Sequence, residues 1–169
     1  MNTGSGSASG QLNPQAEKAR QMFLSISVGR RITLVAAVIG LVLSFFNWYA
    51  GSGAAGSGGG DSGWHGWGFL AVLAIIVCGV ISALPLLGIP SLRGLMPALP
   101  ARLADGTILA VGGVISIVAT ILFMANEYSG LSFSSNADSA GLTIWSYLFL
   151  ICAIAACVGG FLVRSEGES

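Results

Sequence analysis

Side chains able to do chemistry are few in this chain of 169 residues, which holds seven Asp and Glu, seven Lys and Arg, three Cys and one His. His65 lies in Trp64-His65-Gly66-Trp67. A lone imidazole binds a metal only with several further donors. Asp61, Glu127 and Asp138 share its side of the topology derived below, and such oxygen ligands would suit a hard divalent ion. They are scattered along the chain, however, and His65 reads better as an interfacial imidazole between two tryptophans. Cys78, Cys152 and Cys157 all fall inside apolar stretches without a Cys-x-x-Cys pair, so they read as small buried residues rather than a redox centre. Gly56–Gly60 lacks the Lys of a phosphate-binding loop. A single His in a loop makes no Ser/His/Asp set. No catalytic residue, metal ligand or cofactor is assigned.

Those residues have to be positioned by elements built mostly for lipid. Hydrophobic residues make up 54% of the chain and charged residues 8%, against roughly a quarter charged in an ordinary soluble domain. So few charges would not cover a water-facing surface, whereas a bilayer asks for none. The net charge is zero, and with no basic patch nucleic acid is excluded as a partner.

Four apolar runs are long enough to approach a hydrocarbon core of about 30 Å: 32–49, 68–87, 107–124 and 142–163. Residues 1–13, rich in Gly, Ser, Asn and Gln, read as disordered. In 14–29, Asn13-Pro14 resembles a capped helix start. Ala19, Met22, Phe23 and Ile26 recur at helical spacing there, away from Lys18 and Arg20, as in a juxtamembrane amphipathic helix. The long region before the first run, and the run's own length, argue for a retained span rather than a cleaved leader. The transmembrane unit is therefore 30–164, and 165–169 is a short tail. No strand is expected.

Orientation follows from charge. Lys18, Arg20, Arg30, Arg31, Arg93, Arg102 and Arg164 all fall before the first run, between the second and third, or after the fourth; the other two loops contain no Lys or Arg. The positive-inside rule places both termini in the cytoplasm. Trp48, Tyr49, Trp64, Trp67 and Trp145 gather at the opposite ends and read, with His65, as anchors in an aromatic belt.

In lipid no hydrophobic force draws helices together, so small residues that allow close approach matter most. Each run carries them every fourth position, on one helical face: Ala36, Gly40 and Ser44; Ala74, Cys78 and Ser82; Gly112, Ser116 and Thr120; Cys152, Ala156 and Gly160. The expected fold is an all-α, four-helix transmembrane bundle with both termini inside and a short amphipathic N-terminal helix. No ionisable residue lies mid-span, where proton relays and ion paths put them. That argues against proton-coupled four-span multidrug transporters, which rely on a buried Glu in the first helix. Quinone-reducing thiol oxidoreductases would need paired outer cysteines.

For binding, the loop 88–106 interleaves Leu92, Leu95, Met96 and Leu99 with prolines and with Arg93 and Arg102. It would dock a partner, lie on the membrane surface or cap the inner end of the bundle.

The layout from about residue 30 to 164, with Phe46-Asn47-Trp48-Tyr49, a Gly/Ser loop and Trp64-His65-Gly66-Trp67-Gly68 entering the next span, resembles small four-span membrane proteins common in actinobacteria. Six Arg to one Lys suits such a source. The resemblance implies a bacterial plasma membrane and carries no catalytic residue across. The functional expectation is a non-enzymatic accessory or structural subunit in the bilayer, with a membrane-protein partner or as a homo-oligomer. The alternative is an oligomeric channel or transporter for a small uncharged or weakly polar solute. A lipid-handling or envelope-sensing role for the outer aromatics ranks third.

Overall fold

The computed structural model describes residues 14–50, 62–89, 91–92, 105–131 and 141–166. The chain is mostly helical. Helix α1 is Pro14–Ser25, α2 Val28–Leu43, α3 Gly66–Ala83, α4 Asp105–Leu131 and α5 Ile144–Ser165. Three segments of 22 residues, Gly66–Leu87, Asp105–Asn126 and Ile144–Ser165, are apolar enough to cross a membrane. At 1.5 Å per residue each extends about 33 Å. Helix α2 has 16 residues, and i→i−3 bonds from the Phe45 and Phe46 N–H groups carry its last turn onward.

Local chemistry sets the helix ends. Ser27, extended at the start of α2, accepts from the Arg30 N–H at 3.4 Å. Pro85 lacks an N–H, and the end of α3 tightens into a 3-10 turn over Leu84–Leu87. Gly88 closes it at φ 79°, a left-handed conformation that favours glycine. The Ile89 N–H returns to the Leu84 carbonyl and the Gly88 N–H to that of Pro85, both at 3.1 Å, completing a Schellman cap.

The packed pairs are α2 with α3, α3 with α4, α4 with α5, and α5 with α2. Each helix lies against its sequence neighbours and the last closes on the first, so the ring is antiparallel throughout. Arg30, Arg31, Asp105 and Arg164 share one end, and Trp48, Trp64, Trp67 and Trp145 share the other. The outward faces are apolar: Val35, Val38, Val77, Val80, Val111, Val118, Ile154 and Val158 are all exposed.

Among the described residues extended pairing is confined to the tryptophan end, where sequence patterning predicts no strand. Strand β1, Tyr49–Ala50, runs antiparallel to β2, Gly141–Leu142, and Asn47 bridges Ser62. Two-residue pieces beside Gly-rich loops carry no alternation to read, yet backbone groups near a bilayer need partners. Within the segment 14–29, Pro14–Ser25 forms α1, and Val28 and Gly29 already belong to α2. Met22 is exposed, Phe23 half-buried and Ile26 buried, and the Ala19 side chain lies outside the described residues.

Close approach depends on glycine. A Cβ on Gly113 would stand 2.5 Å from the Cys157 Cα, and one on Gly160 2.6 Å from the Leu109 carbonyl carbon. On Gly40 it would meet only the tip of the Ile75 side chain, at 2.8 Å. Alanine is the better helix former by about 1 kcal/mol, so the sign depends on the obstacle. Gly113→Ala and Gly160→Ala, which strike backbone, should each lose about 1–3 kcal/mol through overpacking. Gly40→Ala should lose less. Thermal unfolding in detergent checks the order, and equal midpoints would contradict it.

Candidate functional site

The most unusual group of side chains is buried at the arginine end. Arg30 and Asp105 are each 3% exposed. One terminal N–H group of Arg30 donates to Asp105 Oδ2 at 2.7 Å, and the other reaches the Ile81 carbonyl at 3.4 Å. The Leu92 backbone N–H donates to Asp105 Oδ1 at 3.1 Å. One ion pair thus joins the start of α2, the end of α3, the segment at Leu92 and the start of α4.

The helix dipoles treat the two partners differently. Asp105 opens α4, where a carboxylate is favoured; Arg30 sits in the first turn of α2, where a cation is not. The carboxylate therefore offsets both the burial of Arg30 and its position. Each partner is held by further bonds, and the arrangement serves as a clasp rather than as a reactive pair.

The sequence pattern places Arg30 among the charges of the cytoplasmic side and does not single out Asp105. A signal was available: successive helical residues lie about 100° apart, so Arg30 and Arg31 cannot face the same way. Arg31 turns outward and donates from Nε to the Ile26 carbonyl at 2.9 Å and from its fork to the Leu24 carbonyl.

The small residues lie along the helix interfaces. Ala36, Ala74, Cys78, Ser82, Ser116, Thr120, Cys152 and Ala156 are all buried. A Cβ on Gly112 would run into the Cys78 sulfur at 2.5 Å. Ser116 Oγ donates across to the Ala71 carbonyl of α3 at 3.0 Å, while Thr120 bonds back to Ser116 within α4 and Ser44 to Leu41 within α2. Ser82 Oγ is buried without a protein partner. Further contacts fall outside the predicted stripes. Gly29 faces the Gly159 carbonyl so closely that a Cβ would stand 2.6 Å away. Thr33 Oγ1 bonds Gly29 at 3.1 Å and the Ala156 carbonyl at 3.4 Å.

The aromatic residues divide. Trp67 is 49% exposed and His65 is exposed at the start of α3. Tyr49 lies half-buried in β1, and Trp145 stacks on Phe46 at 4.3 Å. Trp64 is half-buried beside Phe45 and Phe69. Trp48 differs from an interfacial anchor, because it is fully enclosed. It meets Phe149 at 4.4 Å and the edge of Phe123 at 5.4 Å, and its indole N–H donates to the Leu43 carbonyl at 3.1 Å. The turn after Leu43 folds it back over the helices as a plug. Of the loop residues, Leu92 is half-buried, and Arg93, Leu95, Met96, Leu99 and Arg102 lie outside the described residues, as do Asp61, Asp138 and the Glu127 side chain. Among the described residues no three His, Cys, Asp or Glu side chains come together as a metal site.

Compared with protein-family models, with curated proteins and with solved structures, the chain matches none.

Two outcomes are expected from mutation. Replacing either Arg30 or Asp105 alone by Ala should cost about 3–5 kcal/mol by leaving a buried charge unpaired, while replacing both with apolar residues of similar volume should recover most of it. Denaturant unfolding of the single and double variants in micelles checks this; additive losses would deny the clasp. Trp48→Ala should likewise cost about 3–5 kcal/mol, and Trp67→Ala should stay within about 0.5 kcal/mol. The reverse order would return Trp48 to the belt.

Proposed function

We propose that the chain is a four-span protein of the bacterial cytoplasmic membrane, with α2 prolonged through Phe46 as its fourth span and both termini cytoplasmic. In this reading it performs no chemistry. It acts as an accessory or structural subunit through contacts of its helices and its loop 88–106 with membrane partners.

The observation that carries the proposal is where the polar groups turn. Arg30, Asp105, Thr33 and Ser116 all bond between elements of the ring, leaving outward faces built of Val, Ile and Leu. Shallow grooves among the described residues run between those helices, including ones of about 470, 400 and 230 Å³, with almost wholly apolar walls. Such walls suit acyl chains or another apolar helix rather than a polar solute. Cations at one end and tryptophans at the other support the orientation.

Purification from the native membrane in mild detergent, through a C-terminal tag, should yield a second protein in fixed ratio. Liposomes holding only this chain should pass no glycerol or urea; solute flux there would replace the accessory role with a channel. The topology has its own test: alkaline phosphatase, active only outside the cytoplasm, should be inactive fused at the C-terminus and active fused within 51–61.

A further inference from the structure

We propose that the groove between α2 and α5 at the arginine end binds an anionic phospholipid, its phosphate on Arg31 and one acyl chain along the helices. The groove measures about 470 Å³ and its lining includes Phe23, Arg31, Val35, Ile39, Ile151 and Ala155. That size falls within the roughly 300–1,000 Å³ usual for small-molecule sites. From Arg31 to Ile39 it follows α2 for about 12 Å at 1.5 Å per residue, a length that suits a hydrocarbon tail. Phe23, reaching in from α1, closes one part of the wall.

Among the described residues, Arg31 is the only charged one in this lining. It is half-buried and fixed by its bonds to the Ile26 and Leu24 carbonyls. A guanidinium has five N–H donors in a planar fork, so those two bonds leave donors for phosphate oxygens, which the fork matches well. Lys18 and Arg20 are exposed on α1, the helix that supplies Phe23 to the wall, and Glu17 is the acidic residue of that helix. A basic group beside an apolar inter-helix groove is the arrangement that selects anionic headgroups.

The molecule carries its own control. The groove between α3 and α4, at about 400 Å³, is equally apolar, but its lining has Thr107 and no cation. It offers a tail the same surface and a phosphate nothing to pair with.

The proposal rests on α2 crossing the bilayer, as inferred above. The test titrates purified full-length protein in detergent with phosphatidylglycerol and with phosphatidylcholine of identical chains, reading retained lipid by native mass spectrometry and the melting temperature. Both lipids carry the phosphate, but the choline ammonium neutralises its own and repels a guanidinium, so phosphatidylglycerol, with its net negative headgroup, should bind about tenfold more tightly and should raise the melting temperature. Arg31→Gln should erase the preference and Arg31→Lys should keep part of it. Ala155→Phe, which fills the groove with the arginine intact, should lower binding of phosphatidylglycerol, whereas Ile115→Phe in the other groove should not. Equal retention of both lipids, or a preference that survives Ala155→Phe in a variant that still melts cooperatively, overturns the site. A lipid-free dimer broken by Ala155→Phe would give the groove to a second copy instead. Any of these failures leaves the four-span topology to the phosphatase fusions.

Discussion

Gly159 and Gly160, adjacent in α5, let one helix touch the backbones of two neighbours at the same level. Gly159 lies against Gly29 and Thr33 of α2, and Gly160 against Leu109 and Ala110 of α4. Residues one apart on a helix point about 100° from each other, which is the angle a ring of four helices requires at each corner. In lipid, where dispersion and hydrogen bonds take over from the hydrophobic effect, that double approach is what makes the ring close. The Thr33 bond to the Ala156 carbonyl is within reach only because no side chain stands between the helices there.

The two ends of the ring are closed by different means. At the arginine end, where backbones nearly touch, closure is electrostatic: a buried ion pair, saturated by backbone groups from the chain around it. At the other end it is aromatic, with Trp48 filling the space between Phe123 and Phe149, and a short backbone ladder tying the turn after α2 to the start of α5. Between them the hydroxyls and thiols stay small.

Most of the helices are legible from the sequence, because unbroken apolar runs of membrane length have few other readings. Their partners are less so. The stripes drawn through Cys78, Ser116 and Gly160 gave each helix one packing face, whereas a helix in a ring has two. Gly106 and Gly113 belong to the second face of α4, while Gly29 and Gly159 stand seven residues before Ala36 and after Cys152, where a four-residue spacing has drifted off the contact line. Trp48 was unreadable on other grounds. A tryptophan at the end of an apolar run marks a belt or a plug equally well, and the turn after Leu43 decides between them. Arg30 and Asp105 are 75 residues apart, and no local pattern links them, although the adjacent Arg31 hinted that one of the two arginines had to turn inward.

The distance along the chain between the partners of that ion pair has a bearing on biogenesis. In a chain made and inserted from its N-terminus, Arg30 arrives 75 residues before Asp105. At roughly 5–20 residues per second, its guanidinium waits about 4–15 s for a carboxylate. During that interval its bonding partners are water and, 51 residues on, the Ile81 carbonyl, so α2 exists for seconds with its arginine unclasped. The ion pair can form only once Asp105 has been made, so α2 takes its final seat after α3 has been synthesised rather than before it.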